Sequence, residues 1–155
     1  MSREPLRLRD YLGHILEAIS QIQNYCEDID EVSFLTTRLI QDAVIRNFEI
    51  IGEASKNIER VAPEFIAAHP ELPLAFAYDM RNLLAHGYYK VDMSVVWKTI
   101  ERDLPYLQQQ VNIAIHNLWI RELFNEPWFL EMLRRATAQV KFAFLAAQHK
   151  DSYAP

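Results

Sequence analysis

The segment from Arg81 to Tyr89 concentrates residue types that could act on a phosphate ester. Arg81 is a permanent cation with a planar fork of donors, and His86 can accept or release a proton near neutral pH. During cleavage of a phosphodiester, negative charge grows on the phosphoryl oxygens, the attacking hydroxyl loses a proton and the leaving oxygen gains one. An arginine and a histidine can meet these needs without a metal ion or another cofactor.

The spacing of these residues restricts how they act together. On an uninterrupted helix, residues five apart point roughly 140° away from each other, whereas residues seven apart lie almost above one another. Arg81 and Tyr88 could therefore lie on the same face of a helix, whereas His86 would lie on a different face. A helix that ends at Gly87 would release His86 from this constraint, and a second subunit could also complete the pair. Taken alone, an Arg and a His at this spacing are more often surface or capping residues.

Apolar residues recur every three or four positions along nearly the whole chain, which predicts amphipathic helices. The first helix carries a stripe from Leu8 to Cys26. The second begins after Ser33 as its N-cap, carries Leu35 and Leu39 in its stripe and stops before Pro63. A short helix or turn precedes a third helix, which follows Pro73 and ends at Gly87. The fourth starts near Asp92 or Ser94 with a kink at Pro105, and a last helix extends to about Gln148.

Four long helices with short joins predict an all-α protein, an up-and-down four-helix bundle with an additional C-terminal helix. A chain of 155 residues fits one domain. We expect a single domain over residues 1–155, with a core at about 6–116 and a helical extension at about 117–149. The extension is rich in large apolar residues that could pad the bundle, widen a dimer interface or receive a partner protein.

Composition and charge narrow the range of functions. A formal net charge of -5 argues against a protein that coats nucleic acid regardless of sequence, because such binding depends on many Lys and Arg contacts with phosphates. A local basic cleft is still compatible with this charge. Cys26 is the only cysteine, and the remaining histidines are scattered, which disfavours a disulfide framework and a zinc site. With no signal-peptide pattern and no apolar run near ~18 residues, we expect a cytoplasmic protein with no membrane partner.

Two separated motifs resemble those of one known group of proteins. The pattern R-x4-H-x-Y, formed by Arg81, His86 and Tyr88 with Asn82 after the arginine, resembles the HEPN superfamily and more specifically its HepT-like toxins. The second-helix segment 46–54, RNFEIIGEA, is similar to the segment that HepT-like proteins carry there. The resemblance covers about residues 6–115 and implies a HEPN-like bundle.

The resemblance implies a metal-independent endoribonuclease that acts as a homodimer, with the Arg81 and His86 pairs of both subunits facing one cleft. In the mechanism that we expect, His86 accepts the proton of a ribose 2′-hydroxyl as this hydroxyl attacks the adjacent phosphorus. Arg81 stabilises the charge on the phosphoryl oxygens, and the product is a 2′,3′-cyclic phosphate. Transfer RNA is the family-level expectation for the RNA substrate. Asn82 could bind a phosphate, orient His86 or bond only to nearby backbone.

The resemblance also implies a means of inactivation. HepT-like toxins are paired with MntA-like nucleotidyltransferase antitoxins, which transfer AMP onto the tyrosine of the motif, here Tyr88. An adenylate close to Arg81 would exclude an RNA phosphate by bulk and by like charge. The alternative interpretation of Tyr88 and Tyr89 is an amphipathic anchor at a helix end.

Two further possibilities stay open at the level of the sequence. Glu49 and Glu53 could fix Arg81 from the second helix, although pairing with Arg46 on their own helix is a simpler explanation. The chain as a whole could also be a non-catalytic helical partner of a nucleotidyltransferase, with Arg81 and Tyr88 binding a nucleotide or the transferase. A general base at position 86 favours catalysis, because a docking surface has no need of one.

Overall fold

A computed structural model describes the backbone of residues 4–87 and 91–150 and the side chains of residues 7–84 and 91–139. These residues form helices and include no strand, which confirms the predicted all-α class. The helices are α1 (Glu4–Cys26), α2 (Glu31–Thr36), α3 (Arg38–Val61), α4 (Pro63–Ala68), α5 (Leu74–Gly87), α6 (Met93–Lys98), α7 (Leu104–Asn125) and α8 (Pro127–Lys150). Between α6 and α7, the residues Thr99–Asp103 form a π-helical turn.

The chain divides into two compact units, Met1–Ile115 and His116–Pro155. In the first unit, α3 packs against both α1 and α5. Gln23 on α1 and Gln108 on α7 exchange two side-chain amide hydrogen bonds of 3.0 and 3.2 Å, which join the first and last long helices of this unit. The first unit is therefore a helical bundle, as the sequence predicts. The second unit contains the end of α7 and the helix α8.

The core of the first unit consists of aliphatic side chains that repeat along the long helices. Completely or almost completely buried are Leu12, Ile15, Ile19 and Ile22 from α1, Ile51 and Ile58 from α3, Leu84 from α5, and Leu104 and Val111 from α7. Burying one such side chain contributes roughly 1.5–3 kcal/mol relative to leaving it in water. The stripes predicted for the first and fourth helices, and the part of the second helix's stripe that contains Ile51 and Ile58, thus form the core. In the predicted third helix Leu84 is buried, whereas Phe76 and Leu83 are exposed.

The predicted start of the second helix is wrong. Asp30, not Ser33, is the N-cap, and its carboxylate accepts a 2.8 Å hydrogen bond from the Ser33 amide. This bond holds the pKa of the Asp30 carboxyl below its usual range. Because Thr37 then leaves the helical conformation, one predicted helix becomes two, and Leu35 and Leu39 are exposed.

A buried amide stabilises the break between α2 and α3. The side chain of Gln41 donates hydrogen bonds of 2.9 and 3.0 Å to the carbonyls of Phe34 and Leu35 at the end of α2. The Phe34 carbonyl also accepts a 3.3 Å bond from the Thr37 amide, so Gln41 adds to the bonding of carbonyls at a helix C-terminus, where regular helical partners are missing. Phe34 is fully buried and packs against Trp97 of α6, with ring centroids 5.3 Å apart. The break thus places the Phe34 ring in the core, whereas a continuous helix would present Leu35 and Leu39 there.

Prolines mark two further irregular points. Pro63 lies in the first turn of α4, a position where its missing N–H has no helical partner to lose. Pro105 follows the π turn, in which the Leu104 amide bonds to the carbonyl of Thr99, five residues back. The sequence predicts interrupted helical bonding at Pro105, and the structure accommodates it by this wider turn.

The closest approach between α3 and α5 occurs at Gly52. A Cβ atom built on Gly52 would overlap the Cβ of Arg81 and lie 2.8 Å from its Cγ and 3.0 Å from the carbonyl oxygen of Ala77. Gly52 is buried in the middle of α3, where glycine costs helix stability relative to alanine. The absence of a side chain at Gly52 therefore sets the separation of α3 and α5.

Replacing each of the two helix-interior glycines by alanine should have opposite effects on stability. Gly13→Ala should raise the free energy of unfolding by about 0.5–1 kcal/mol, because Gly13 has open space around its Cα and alanine favours the helix. Gly52→Ala should lower it by about 1–3 kcal/mol, because the new methyl group forces α3 and α5 apart. Urea denaturation measures both. Equal stabilisation by the two substitutions would contradict the close packing at Gly52.

Candidate active site

Arg81 lies on the side of α5 that faces α3, directly against Gly52. Its side chain is 32% exposed, so the aliphatic stem is covered while the guanidinium reaches solvent. Nη1 donates a 3.0 Å hydrogen bond to Oδ1 of Asn82, and Nη2 lies 3.8 Å from Oε2 of Glu53. A guanidinium carries five N–H donors, so these contacts with the described residues leave donors for an anionic ligand.

Asn82 and Glu53 contact different nitrogens of the guanidinium. Asn82 follows Arg81 on α5, and its side-chain oxygen accepts the arginine N–H, a partner that the sequence interpretation did not consider for it. Glu53 follows Gly52 on α3 and is 60% exposed. The 3.8 Å separation is too long for a hydrogen bond, and an exposed ion pair of this kind contributes only about 0–1 kcal/mol. Glu53 therefore biases the orientation of Arg81 without binding it tightly.

Glu49 has a different partner. Its carboxylate accepts a 3.2 Å hydrogen bond from Nη1 of Arg46 on the same helix. Of the two glutamates considered from the sequence, the structure brings Glu53 next to Arg81 and pairs Glu49 with Arg46.

The backbone of α5 is helical through Gly87, so the turn that carries His86 is not unwound at that residue. On ideal helical geometry, the Cα atoms of Arg81 and His86 then lie roughly 140° apart around the axis. The imidazole of His86, and Tyr88 and Tyr89 as whole residues, lie outside the described part of the structure. If α5 ended before His86, the chain could turn and bring His86 towards Arg81. Because the backbone stays helical through Gly87, contact between the two residues of one chain is less direct.

Gly52 lies within the segment 46–54 that resembles HepT-like proteins, but the sequence pattern alone assigns it no role. A signal for it existed: the chain has three glycines, and one of them lies in the middle of a strongly patterned helix. A glycine at such a position lowers helix stability and therefore calls for a packing explanation. The structure supplies it as the contact with Arg81.

Two absences hold for the residues that the structure describes. Within that part of the chain, no three His, Cys, Asp or Glu side chains come together in a way that could hold a metal ion. Over the same residues, no helix combines the length and the apolarity required to cross a lipid bilayer.

Comparison with known proteins gives one consistent result. Residues 15–114 match the family model described as ribonuclease HepT-like. A protein of Thermococcus cleftensis named "Probable ribonuclease HepT" is 45% identical over 100 residues, which cover 64% of this chain and 88% of the relative. A Methanocaldococcus jannaschii protein named "Putative RNase" is 34% identical over 107 residues, 69% of this chain and 95% of the relative.

A second M. jannaschii protein, named "Gamma-glutamylcyclotransferase and putative RNase", is 40% identical over 101 residues, 65% of this chain. The match spans only 44% of that longer relative. No solved structure matches the chain significantly. The family match lies within the unit Met1–Ile115, which contains Gly52, Glu53, Arg81 and Asn82. This chain belongs to the HepT-like family of ribonucleases.

Proposed function

We propose that this protein is a metal-independent endoribonuclease and the toxin of a toxin–antitoxin pair. Family membership supports the ribonuclease activity. One observation supports the site: the partly exposed guanidinium of Arg81 bonds to Asn82, keeps N–H donors for a ligand and lies on the same helix as His86. A fixed, partly exposed guanidinium suits the charge that develops on a phosphoryl group during cleavage.

The reaction follows from the two side chains. His86 accepts the proton of the ribose 2′-hydroxyl, and the resulting oxygen attacks the neighbouring phosphorus. The bond from phosphorus to the 5′ oxygen breaks, and this oxygen takes up a proton as it leaves. Arg81 stabilises the negative charge on the non-bridging oxygens throughout. The products are a 2′,3′-cyclic phosphate and a 5′-hydroxyl end, with no net change in oxidation state and no requirement for a metal ion.

The helical backbone at His86 supports a site that is shared between two subunits. On ideal helical geometry the Cα atoms of Arg81 and His86 lie on different sides of α5, which favours an arrangement in which one phosphodiester contacts the arginine of one chain and the histidine of the other. A two-fold dimer repeats the arrangement and produces two such pairs in one cleft. Two Arg81 side chains in one cleft also concentrate positive charge where the substrate binds, although each chain carries a net charge of -5.

Regulation by a partner enzyme completes the proposal. An MntA-like nucleotidyltransferase antitoxin transfers AMP to the hydroxyl of Tyr88 and releases pyrophosphate from ATP. Tyr88 follows Arg81 by seven residues, so it begins the part of the chain directly after α5. The added phosphate competes with RNA for Arg81.

Cleavage of small RNAs in the presence of EDTA tests the nuclease. His86→Ala should reduce kcat by about 10²–10⁴-fold because it removes the general base. Arg81→Ala should reduce it by about 10²–10³-fold because it removes the charge that stabilises the transition state. RNA with 2′-deoxyribose at the scissile position should resist cleavage, and the product should carry a 2′,3′-cyclic phosphate.

Two exposed residues of the same types, Arg38 and His116, provide matched controls, and their alanine variants should retain wild-type activity. Equal cleavage by the wild type, Arg81→Ala and His86→Ala would reveal a contaminating nuclease. The absence of cleavage by unmodified wild-type protein would instead assign the chain to a non-catalytic partner of a nucleotidyltransferase.

Mixing the two inactive variants tests the shared site. A heterodimer of Arg81→Ala and His86→Ala subunits keeps one complete arginine–histidine pair if each site takes one residue from each chain. Random exchange then restores roughly a quarter of wild-type activity, since half of the dimers are mixed and each retains one of two sites. Activity that stays at the level of the separate variants, in a preparation shown to contain heterodimers, would place each pair within one chain.

The intact mass of the protein after incubation with the transferase and ATP tests the modification. The wild type and Tyr89→Phe should gain the mass of AMP and lose RNA cleavage, because the phosphate competes for Arg81. Tyr88→Phe should gain no AMP and stay active in the presence of the transferase. Modification of Tyr88→Phe to the wild-type extent would identify another acceptor.

A further inference from the structure

A groove adjoins the Arg81 site on the first compact unit. It has a volume of about 480 Å³ and lies between α3, α4 and the first turns of α5. This volume falls within the range of about 300–1,000 Å³ that is usual for small-ligand sites. The residues that give it chemical character are Lys56 and Glu59 from α3, His69 after α4, and Tyr78 and Asp79 from α5. The groove has an aromatic ring, a cation and carboxylates, and none of these residues takes part in the proposed reaction.

Two rows of side chains, one on α3 and one on α5, lead from the groove to Arg81. On α5, Tyr78 precedes Arg81 by three residues, so the two lie on the same face, about 4.5 Å apart along the helix axis. On α3, Glu53 and Lys56 have the same spacing. Glu53 lies next to Arg81, and Nζ of Lys56 lies 5.0 Å from the centre of the Tyr78 ring. A ligand that contacts Arg81 therefore extends onto Tyr78 with one short step along the helix.

Lys56 can be released from its present contacts at little cost. Its ammonium bonds to the Glu59 carboxylate at 2.8 Å, which raises the pKa of Lys56 and keeps it charged. Both side chains of this pair are about half exposed, and exposed pairs contribute only about 0.2–1 kcal/mol. An exposed cation–π contact is similarly weak. An aromatic ligand can thus replace the ammonium on Tyr78, while Lys56 turns towards a phosphate.

The carboxylates determine which part of a nucleotide enters the groove. Glu59 and Asp79 would repel a phosphate but would accept hydrogen bonds from the amino group of a base. The ring of Tyr78 offers a surface on which a base can stack, as aromatic side chains do in proteins that bind single-stranded RNA. Charge therefore separates the two parts of the ligand, with the phosphate at Arg81 and Lys56 and the base in the groove.

We propose that this groove binds the unpaired nucleobase next to the scissile phosphate, with Tyr78 as the stacking surface and Glu59 and Asp79 as acceptors for its amino group. The inference rests on the proposed function in one respect, namely that the substrate is RNA. It adds a preference that the reaction itself does not require: a base with an exocyclic amino group, such as cytosine, binds in preference to uracil.

Binding of short RNAs that cannot be cleaved tests the groove separately from catalysis. Fluorescence anisotropy with 2′-O-methyl oligocytidine and oligouridine gives the dissociation constants. Tyr78→Ala should weaken binding of oligocytidine about 5- to 100-fold, because it removes one stacking surface. Tyr78→Phe and Tyr78→Trp should bind like the wild type, since both keep an aromatic face. Tyr25→Ala, which removes an exposed tyrosine from α1, should also bind like the wild type.

Base selectivity provides the second measurement. The wild type should bind oligocytidine more tightly than oligouridine, and the double variant Glu59→Ala, Asp79→Ala should lose this difference. Equal affinity of the wild type for the two oligomers would overturn the acceptor role. Unchanged binding by a folded Tyr78→Ala protein, or a loss in Tyr78→Phe equal to that in Tyr78→Ala, would overturn the stacking role.

The cleavage assay separates failure of the groove from failure of the nuclease. With a cleavable RNA, Tyr78→Ala should raise KM and leave kcat nearly unchanged, because Tyr78 does not touch the reacting atoms. Cleavage by the wild type with no effect of Tyr78→Ala on KM would reject the groove and keep the nuclease. RNA binding that depends on Tyr78, with no cleavage by the wild type, would keep the groove and reject the nuclease.

Discussion

The contact between the backbone of Gly52 and the side chain of Arg81 fixes the distance between α3 and α5, and the surface chemistry of this face depends on that distance. At this separation the guanidinium comes within reach of Glu53, and one turn further along α3 the ammonium of Lys56 lies over Tyr78. A methyl group at position 52 would enter the stem of the arginine. The same glycine that weakens α3 as a helix is what makes Arg81 part of a two-helix surface.

The charges on this surface have opposite signs at short range. Arg81 is next to Glu53, and Lys56 is next to Glu59, so the face carries little net charge although its cations are well placed. Such an arrangement disfavours non-specific binding of polyanions. It still allows binding of a polyanion that places a phosphate beside these cations. The net charge of -5 and a phosphate-binding role are compatible for this reason.

Much of the fold could be predicted from the sequence because buried stripes repeat with helical period. Leu12, Ile15 and Ile19 were expected in the core and are fully buried. The start of the second helix was not predictable in this way, since Asp30 and Ser33 are both good N-caps and only the packing of Phe34 against Trp97 decides between them. Periodicity reports which face is apolar, and it carries no information on where tertiary contacts break a helix.

The candidate site shows the same division. Residue types, together with the resemblance, single out Arg81 and Asn82, which the structure shows in contact; their roles in the reaction stay a prediction. Residue types and spacing could not distinguish Glu49 from Glu53, because residues four apart lie on the same face of α3 and the choice depends on the level along α3 at which Arg81 of α5 approaches. The contact between Lys56 and Tyr78 is not predictable for a related reason, because a ring contact between two helices leaves no periodic signal in either one.

The π turn before Pro105 has a consequence for how such chains diverge. A π turn is equivalent to one residue inserted into an α-helix, and here it lies where a proline could not join regular α-helical bonding. The extra residue and the proline are therefore compensating changes. Loss of the insertion alone would set the proline ring against a carbonyl, so a related chain that is one residue shorter here should carry a residue other than proline at this position.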